Sequence, residues 1–202
     1  MTIGTKTLLF GAHQFLLHPL FVAAAWWKLY GPPLDPRLWF AFFLHDVGYL
    51  GKPNLDGPEG ETHPELGARI MKSLFGEKWG DLCLYHSRSI ARKNGRESSL
   101  LSHADKLATS LMPRWLYLLQ VKTTGEFREY LEHFRQSLEL KGKYVTALNL
   151  QEDKNPPNGI TYGSIDHWYW AMTKKYTQNW VEQKRSGLAQ ELEMFRLQAN
   201  DL

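Results

Sequence analysis

Phe42-Phe43-Leu44-His45-Asp46-Val47-Gly48-Tyr49-Leu50 sets an imidazole and a carboxylate side by side at the end of a run too apolar to face solvent. Burying an ionised carboxylate costs several kcal/mol unless it is paired or bound to a cation. A lone buried His-Asp pair has a plain structural explanation, in which the carboxylate merely orients a core histidine. The chain on either side decides between that explanation and a site.

Upstream, Asp35-Pro36 reads as an N-cap followed by a proline at the first helical position, opening the helix that ends in the pair. Before it, Thr5 to Leu17 reads as one helix. Pro19 begins a second helix that runs to about Tyr30 and is apolar on nearly every side, so it should be central. Downstream, Lys52 to Thr62 is a loop by its Gly, Pro, Asn and Asp content. His63-Pro64 starts a helix with Leu66, Ile70, Met71 and Leu74 at helical spacing. Trp79 to about Lys93 is read as a single helix carrying His86, and Leu100 to Met112 as one bearing His103 and Asp105. Trp115 to Gln120 and Phe127 to Leu138 follow, then a turn-rich Gln151 to Gly163, then a last helix from about Ser164. The expected fold is all-α, a bundle of about eight or nine helices.

With 202 residues the chain is long enough for one domain with a sizeable core. We read residues 1–202 as that domain, its polar site over about 11–113 and a helical extension over 114–202. A net charge of +3, unclustered, gives no argument for nucleic acid or a membrane surface. Polar residues and Pro19 interrupt the apolar stretch from Leu8 to Tyr30, so no unbroken apolar run within it reaches the roughly 20 residues of a membrane span. The one cysteine, Cys83, rules out an intrachain disulfide or a cysteine-based zinc cluster and fits a reducing cytoplasm. Its apolar neighbours make it a packed structural residue.

The polar exceptions then fall into a series. His18 lies on the second helix, His45 and Asp46 on the third, His63 at the start of the fourth, His86 on the fifth and Asp105 on the sixth. One or two such residues on each of several successive helices is how helical folds assemble a metal site from inward-pointing side chains. Imidazole with carboxylate, and no thiolate, suits Fe, Mn or Zn.

In order and local sequence this series resembles the HD superfamily of metal-dependent phosphohydrolases. His18-Pro19-Leu20-Phe21-Val22-Ala23 is similar to that family's first-ligand helix. Leu44-His45-Asp46-Val47-Gly48 resembles its namesake motif, and Ala104-Asp105-Lys106 its terminal aspartate. His63-Pro64-Glu65-Leu66-Gly67-Ala68 and Tyr85-His86-Ser87 resemble the two extra histidines of the binuclear branch. That branch includes cyclic-dinucleotide phosphodiesterases, dinucleoside-tetraphosphate hydrolases and di-iron oxygenases. The resemblance spans about Gly11 to Pro113. It implies two metal ions, one held by His18, His45 and Asp105, the other by His63 and His86, with Asp46 bridging. The resemblance favours Fe or Mn; Zn, Co, Ni and Mg stay open. Two cations about 3.5–4 Å apart can activate water and clamp a phosphoryl group.

Two departures bear on the chemistry. Tyr49 stands where many family hydrolases carry a lysine, and the nearest lysine is Lys52. The Gly-Tyr-Pro signature of the cyclic-dinucleotide enzymes does not follow His86. Candidate phosphate contacts are Arg88, Lys52 and Lys106, with Arg92 and Arg114 further off, since guanidinium and ammonium groups bind phosphate oxygens. Asn54, Asp56 and Glu59 lie in the loop between the His-Asp pair and His63, where a substrate lid or a plain surface loop would sit. His13 is off the His18 face and reads as a weak alternative ligand. His103 is about 200° around its helix from Asp105 and should face away. His133 and His167 read as ordinary, and Trp168, Trp170, Tyr176 and Trp180 as packing over the core.

The leading expectation is a hydrolase of a small phosphate ester or nucleotide, with hydroxide on the metals as nucleophile and Asp46, Arg88, Lys52 and Lys106 serving catalysis. The alternatives are a di-iron oxygenase cleaving a C–C or C–P bond, and a non-catalytic metal or nucleotide sensor. The oligomeric state is not written in the sequence.

Overall fold

The computed structural model describes residues 1–132 and 165–199, and all the regular structure among them is helical. In chain order the helices are α1 (Ile3–Phe10), α2 (His18–Tyr30), α3 (Pro36–Leu44), α4 (Pro64–Phe75), α5 (Glu77–Leu84), α6 (Arg88–Lys93), α7 (Leu100–Leu111) and α8 (Arg114–Thr124), followed by α9 (126–132) and α10 (Ile165–Ala199). Single turns of 3-10 helix, Val47–Tyr49 and Gly60–Thr62, sit in the long α3–α4 connection.

α2 is central, as its all-round apolarity requires. Val22, Ala25 and Trp26 are buried among Ala41 and Phe42 of α3 and Leu101, Ala104 and Ala108 of α7. Met71 of α4 with Trp79, Leu82 and Cys83 of α5 extends this core, and Val181 and Leu188 of α10 cover it. Each large side chain fully removed from water contributes about 1.5–3 kcal/mol of transfer free energy. A second cluster joins Ala12, Met112, Tyr117, Val121, Tyr169 and Trp170. It fastens the start of α10 to α8 and to the turn before α2. Asp35 caps α3 as read, its carboxylate accepting the Arg37 backbone N–H at 2.9 Å.

Three boundaries differ from the sequence reading, and two of them shape the site. The first helix stops at Phe10 instead of Leu17, because the chain turns at Gly11 and stays in turns up to α2. The stretch read as one helix from Trp79 to Lys93 is two, broken at Tyr85-His86 and restarted by Ser87, whose hydroxyl accepts the Ile90 N–H. α8 reaches four residues past Gln120, to Thr124, and ends at Gly125 in the left-handed conformation. The helix expected over Phe127 to Leu138 is seen as far as residue 132; its remainder and Gln151 to Gly163 lie outside the described residues. Among the described residues no helix is long and apolar enough to cross a membrane.

Cys83 is 0 % exposed, and burial pushes its thiol pKa up, with the Asp46 charge adding to the effect. Native protein should therefore show no reaction with an aromatic disulfide reagent over minutes at pH 8. One thiol per chain should appear on unfolding in guanidinium. Stoichiometric reaction of folded protein would show that α5 does not pack as described.

Candidate metal centre

Five local structures deliver six side chains to one point. His18 is the first residue of α2, and Asp105 lies mid-way along α7 against it. His45 caps the C-terminus of α3, and Asp46 precedes the 3-10 turn. His63 sits immediately before α4. His86 occupies the α5–α6 break, where an unbroken helix would have carried it around the cylinder. All six are buried. Gly48 permits the approach of the His-Asp turn to the α4 start, since a Cβ there would lie 2.0 Å from the His63 carbonyl oxygen.

The donor atoms form two groups that share Asp46: His18, His45, Asp46 and Asp105, and Asp46, His63 and His86. The shared carboxylate is divided between them. Its Oδ2 lies 3.5 Å from His18 Nε2 and 3.1 Å from His45 Nε2, while its Oδ1 lies 3.5 Å from His63 Nε2 and 3.3 Å from His86 Nε2. His18 Nε2 is also 3.0 Å from Asp105 Oδ1.

The hydrogen bonds fix which ring nitrogen faces the centre. Nδ1 of His45, His63 and His86 each contacts the carbonyl oxygen three residues earlier, of Phe42, Gly60 and Cys83, at 2.9, 2.8 and 2.5 Å. A carbonyl only accepts, so Nδ1 carries the proton and Nε2 of a neutral ring presents its lone pair inward. Such backing is the usual way a ligating imidazole is oriented.

This donor set fits a cation. His63 Nε2 and His86 Nε2 stand 3.1 Å apart, so two lone pairs would confront each other unless positive charge lay between them. Nε2 of His18 and of His45 is buried without a hydrogen bond, although carboxylate oxygens are 3.0 and 3.1 Å away. The nitrogens are thus close to the carboxylates without a hydrogen bond to them, and the donor atoms of each group lie within 4.8 Å of one another.

The electrostatics agree. Burial by itself would raise the pKa of Asp46, but the charges of His45 and His13 and the His13 hydrogen bond outweigh it and hold the carboxyl well below the usual range. Burial also opposes ionisation of Asp105, and contact with His18 and the charge of Lys106 overcome it. Burial drives His63 far down and His18 down, keeping both neutral and ready to ligate. His45 is raised because Asp46 outweighs its burial. Two buried carboxylates thus attract positive charge at the point where the lone pairs converge.

The other sequence candidates are placed as follows. Tyr49 is buried and stacks on His63, ring centres 4.0 Å apart and planes 9° apart, forming a wall of the site. Lys106 follows Asp105 on α7 and acts on it through its charge. Lys52 donates to the Thr62 hydroxyl. Asn54 is engaged within its own loop, donating to Glu59 and accepting the Gly60 N–H. Arg88 donates to the Tyr176 hydroxyl at 3.0 Å and lies over the Trp180 ring at 5.1 Å, so it meets α10. His103 is buried against Trp180 and belongs to neither ligand group. His133 and the side chains of His167 and Trp168 lie outside what the structure describes.

Sequence reasoning undervalued His13. It lies in the turn before α2, with Nδ1 2.8 Å from Asp46 Oδ2 and Nε2 3.2 Å from the Tyr130 hydroxyl. Burial resists its protonation, yet Asp46 prevails and raises its pKa to about 9. Tyr130 and Glu126, which stand behind His13, lay beyond the matched stretch and carried no signal.

Comparisons with models of known families, with curated proteins and with solved structures found no match. The buried His/Asp cluster is compatible with an HD-type domain and is positioned to bind metal ions.

A ligand that binds only the folded chain stabilises it, by about 2.7 kcal/mol at a hundred times its dissociation constant. Adding Mn(II), Fe(II) or Zn(II) to chelator-stripped protein should raise the unfolding temperature by several degrees, and EDTA should reverse the change. An unfolding temperature indifferent to all of them would remove the metal reading.

Proposed function

We propose that the chain is a metal-dependent phosphohydrolase with a binuclear centre, acting on a small phosphate ester or nucleotide. The observation that carries the binuclear part is the division of Asp46, with Oδ2 towards His18 and His45 and Oδ1 towards His63 and His86. His18, His45 and Asp105 would hold one ion and His63 and His86 the other, with Asp46 between them. Two such ions supply a nucleophile from water near neutral pH and offset charge on phosphate oxygens. The protein's part is to hold the ligands neutral or ionised as required, to keep three imidazoles oriented by backbone carbonyls, and to wall the site with Tyr49. Lys106, Arg88 and Lys52 are the cations assigned to the phosphate. The hydrolytic part follows the sequence resemblance and the all-imidazole-and-carboxylate donor set.

A second reading keeps one specific support. Tyr49, neutral and stacked on His63, stands where many family hydrolases have a lysine. That favours a di-iron oxygenase acting on a small polar substrate.

Protein prepared in Mn(II) or Fe(II) should hold two metal ions per chain, falling towards one in His63→Ala and in His86→Ala. Asp46→Ala should weaken both sites and abolish turnover, because one carboxylate serves both ions. Saturation of the wild type at one ion would end the binuclear proposal.

Substrate chemistry is tested by two assays run side by side: phosphate release from a panel of nucleotides and phosphate monoesters, and oxygen uptake in the presence of Fe(II). Phosphate release without oxygen uptake is expected. One cationic hydrogen bond to phosphate contributes about 1.5–3 kcal/mol. Whichever of Arg88→Ala, Lys52→Ala and Lys106→Ala removes it should lower kcat/KM by roughly ten- to a hundredfold. Oxygen-dependent turnover lost in Tyr49→Phe, with all three cation variants unchanged, would replace the hydrolase with the oxygenase.

A further inference from the structure

A chain of hydrogen bonds leads away from the centre through residues that hold no metal. Nδ1 of His13 lies 2.8 Å from Asp46 Oδ2, and its Nε2 lies 3.2 Å from the Tyr130 hydroxyl. Tyr130 in turn donates to Glu126 Oε2 at 3.1 Å. Glu126 is 0 % exposed, and its carboxylate also accepts the Ala12 backbone N–H, at 3.2 and 3.3 Å to its two oxygens, and the Thr124 hydroxyl. A wholly buried carboxylate with three donors is fixed in place. Gly11 leaves it room, since a Cβ at that residue would lie 1.7 Å from Glu126 Oε1.

The direction of donation follows from the acceptors. Glu126 only accepts, so the Tyr130 proton points to it. The phenol oxygen then faces His13 Nε2 at 3.2 Å, and His13 Nδ1, 2.8 Å from Asp46 Oδ2, donates to that carboxylate. Reversing the Tyr130 hydroxyl would set two oxygen lone pairs against each other 3.1 Å apart.

Asp46 needs such an anchor. A carboxylate turns about Cβ–Cγ in a broad, shallow well, and a free one can swing so that both oxygens chelate a single cation. Bridging requires its plane to be held. Histidines on the metal side cannot supply this, because their lone pairs point at the ions. His13 approaches Oδ2 as a donor instead.

We propose that Glu126, Tyr130 and His13 form a positioning relay that locks the plane of Asp46, so that its two oxygens stay divided between the two halves of the centre. The relay makes α9 a working part of the site. Glu129 of the same helix accepts the Leu55 and Asp56 N–H groups at 2.7 and 3.0 Å, tying the loop that leads to His63. The inference rests on the binuclear reading above but not on hydrolysis, and its test needs no substrate.

The probe is Mn(II) alone, with two readouts: equilibrium dialysis for stoichiometry and affinity, and electron paramagnetic resonance for spin coupling between carboxylate-bridged ions. Wild type should bind two Mn(II) and give a coupled signal. Tyr130→Phe, which deletes one oxygen and keeps the ring, should still reach two ions, but with affinity lowered about tenfold or more and part of the signal uncoupled. His13→Ala should do the same, and His13→Asn, whose amide N–H can stand in for Nδ1–H, should recover part of the loss. Far-UV circular dichroism of the metal-free variants separates loss of orientation from loss of fold, and Tyr130→Phe keeps the test decisive if His13→Ala does not fold. Wild-type affinity and coupling in both Tyr130→Phe and His13→Ala would overturn the relay alone. A wild type holding fewer than two Mn(II) would overturn the relay and the binuclear reading together.

Discussion

The structure turns on an ionised carboxylate that is almost out of reach of water. Asp46 is 5 % exposed, and a lone charge so placed would cost several kcal/mol even after relaxation. The chain meets that cost with the His13 N–H, which donates to it, and with four inward-facing imidazoles that would hold cations against it. This requirement explains otherwise odd local choices. A histidine ends α3 where a helix former would serve better, a histidine sits in a break between α5 and α6, and a glycine at 48 lets two backbones touch.

Much of this was legible in the sequence because metal-competent side chains on apolar helices are conspicuous. His18, His45, Asp46, His86 and Asp105 lie in or beside apolar helical stretches, and His63 opens the next helix after a polar loop. What failed to show was anything set by a turn. His13 looked displaced because its position was judged on a helix that in fact stops at Phe10. The α5–α6 break carries no proline or glycine; Tyr85-His86-Ser87 reads as helix until Ser87 is seen capping the next one. Tyr130 and Glu126 were invisible for a different reason: their roles depend on long-range contacts, which leave no local pattern.

Arg88 links the neighbourhood of His86 to α10. Two residues after His86, it invited assignment to the substrate, yet its guanidinium meets Tyr176 and Trp180. Trp180 is stacked in turn on His103 of α7. A guanidinium over an indole ring gains from that contact and from its hydrogen bond. The same side chain therefore couples α10 to the helix next to the centre. Any phosphate it reaches competes with that contact.

The tie between Ala12 and Glu126 joins points 114 residues apart. Contacts of such separation are slow to form, because the entropy of closing the intervening chain is lost before the contact returns any stability. The six ligands all lie within the first 105 residues, and α2, α3 and α7 could pack before α9 does. Asp46 would then be surrounded by imidazoles but not yet oriented. The centre would acquire its final geometry only when α9 folded back over the turn at Ala12, which makes the orienting of Asp46 a late event in the folding of each new chain.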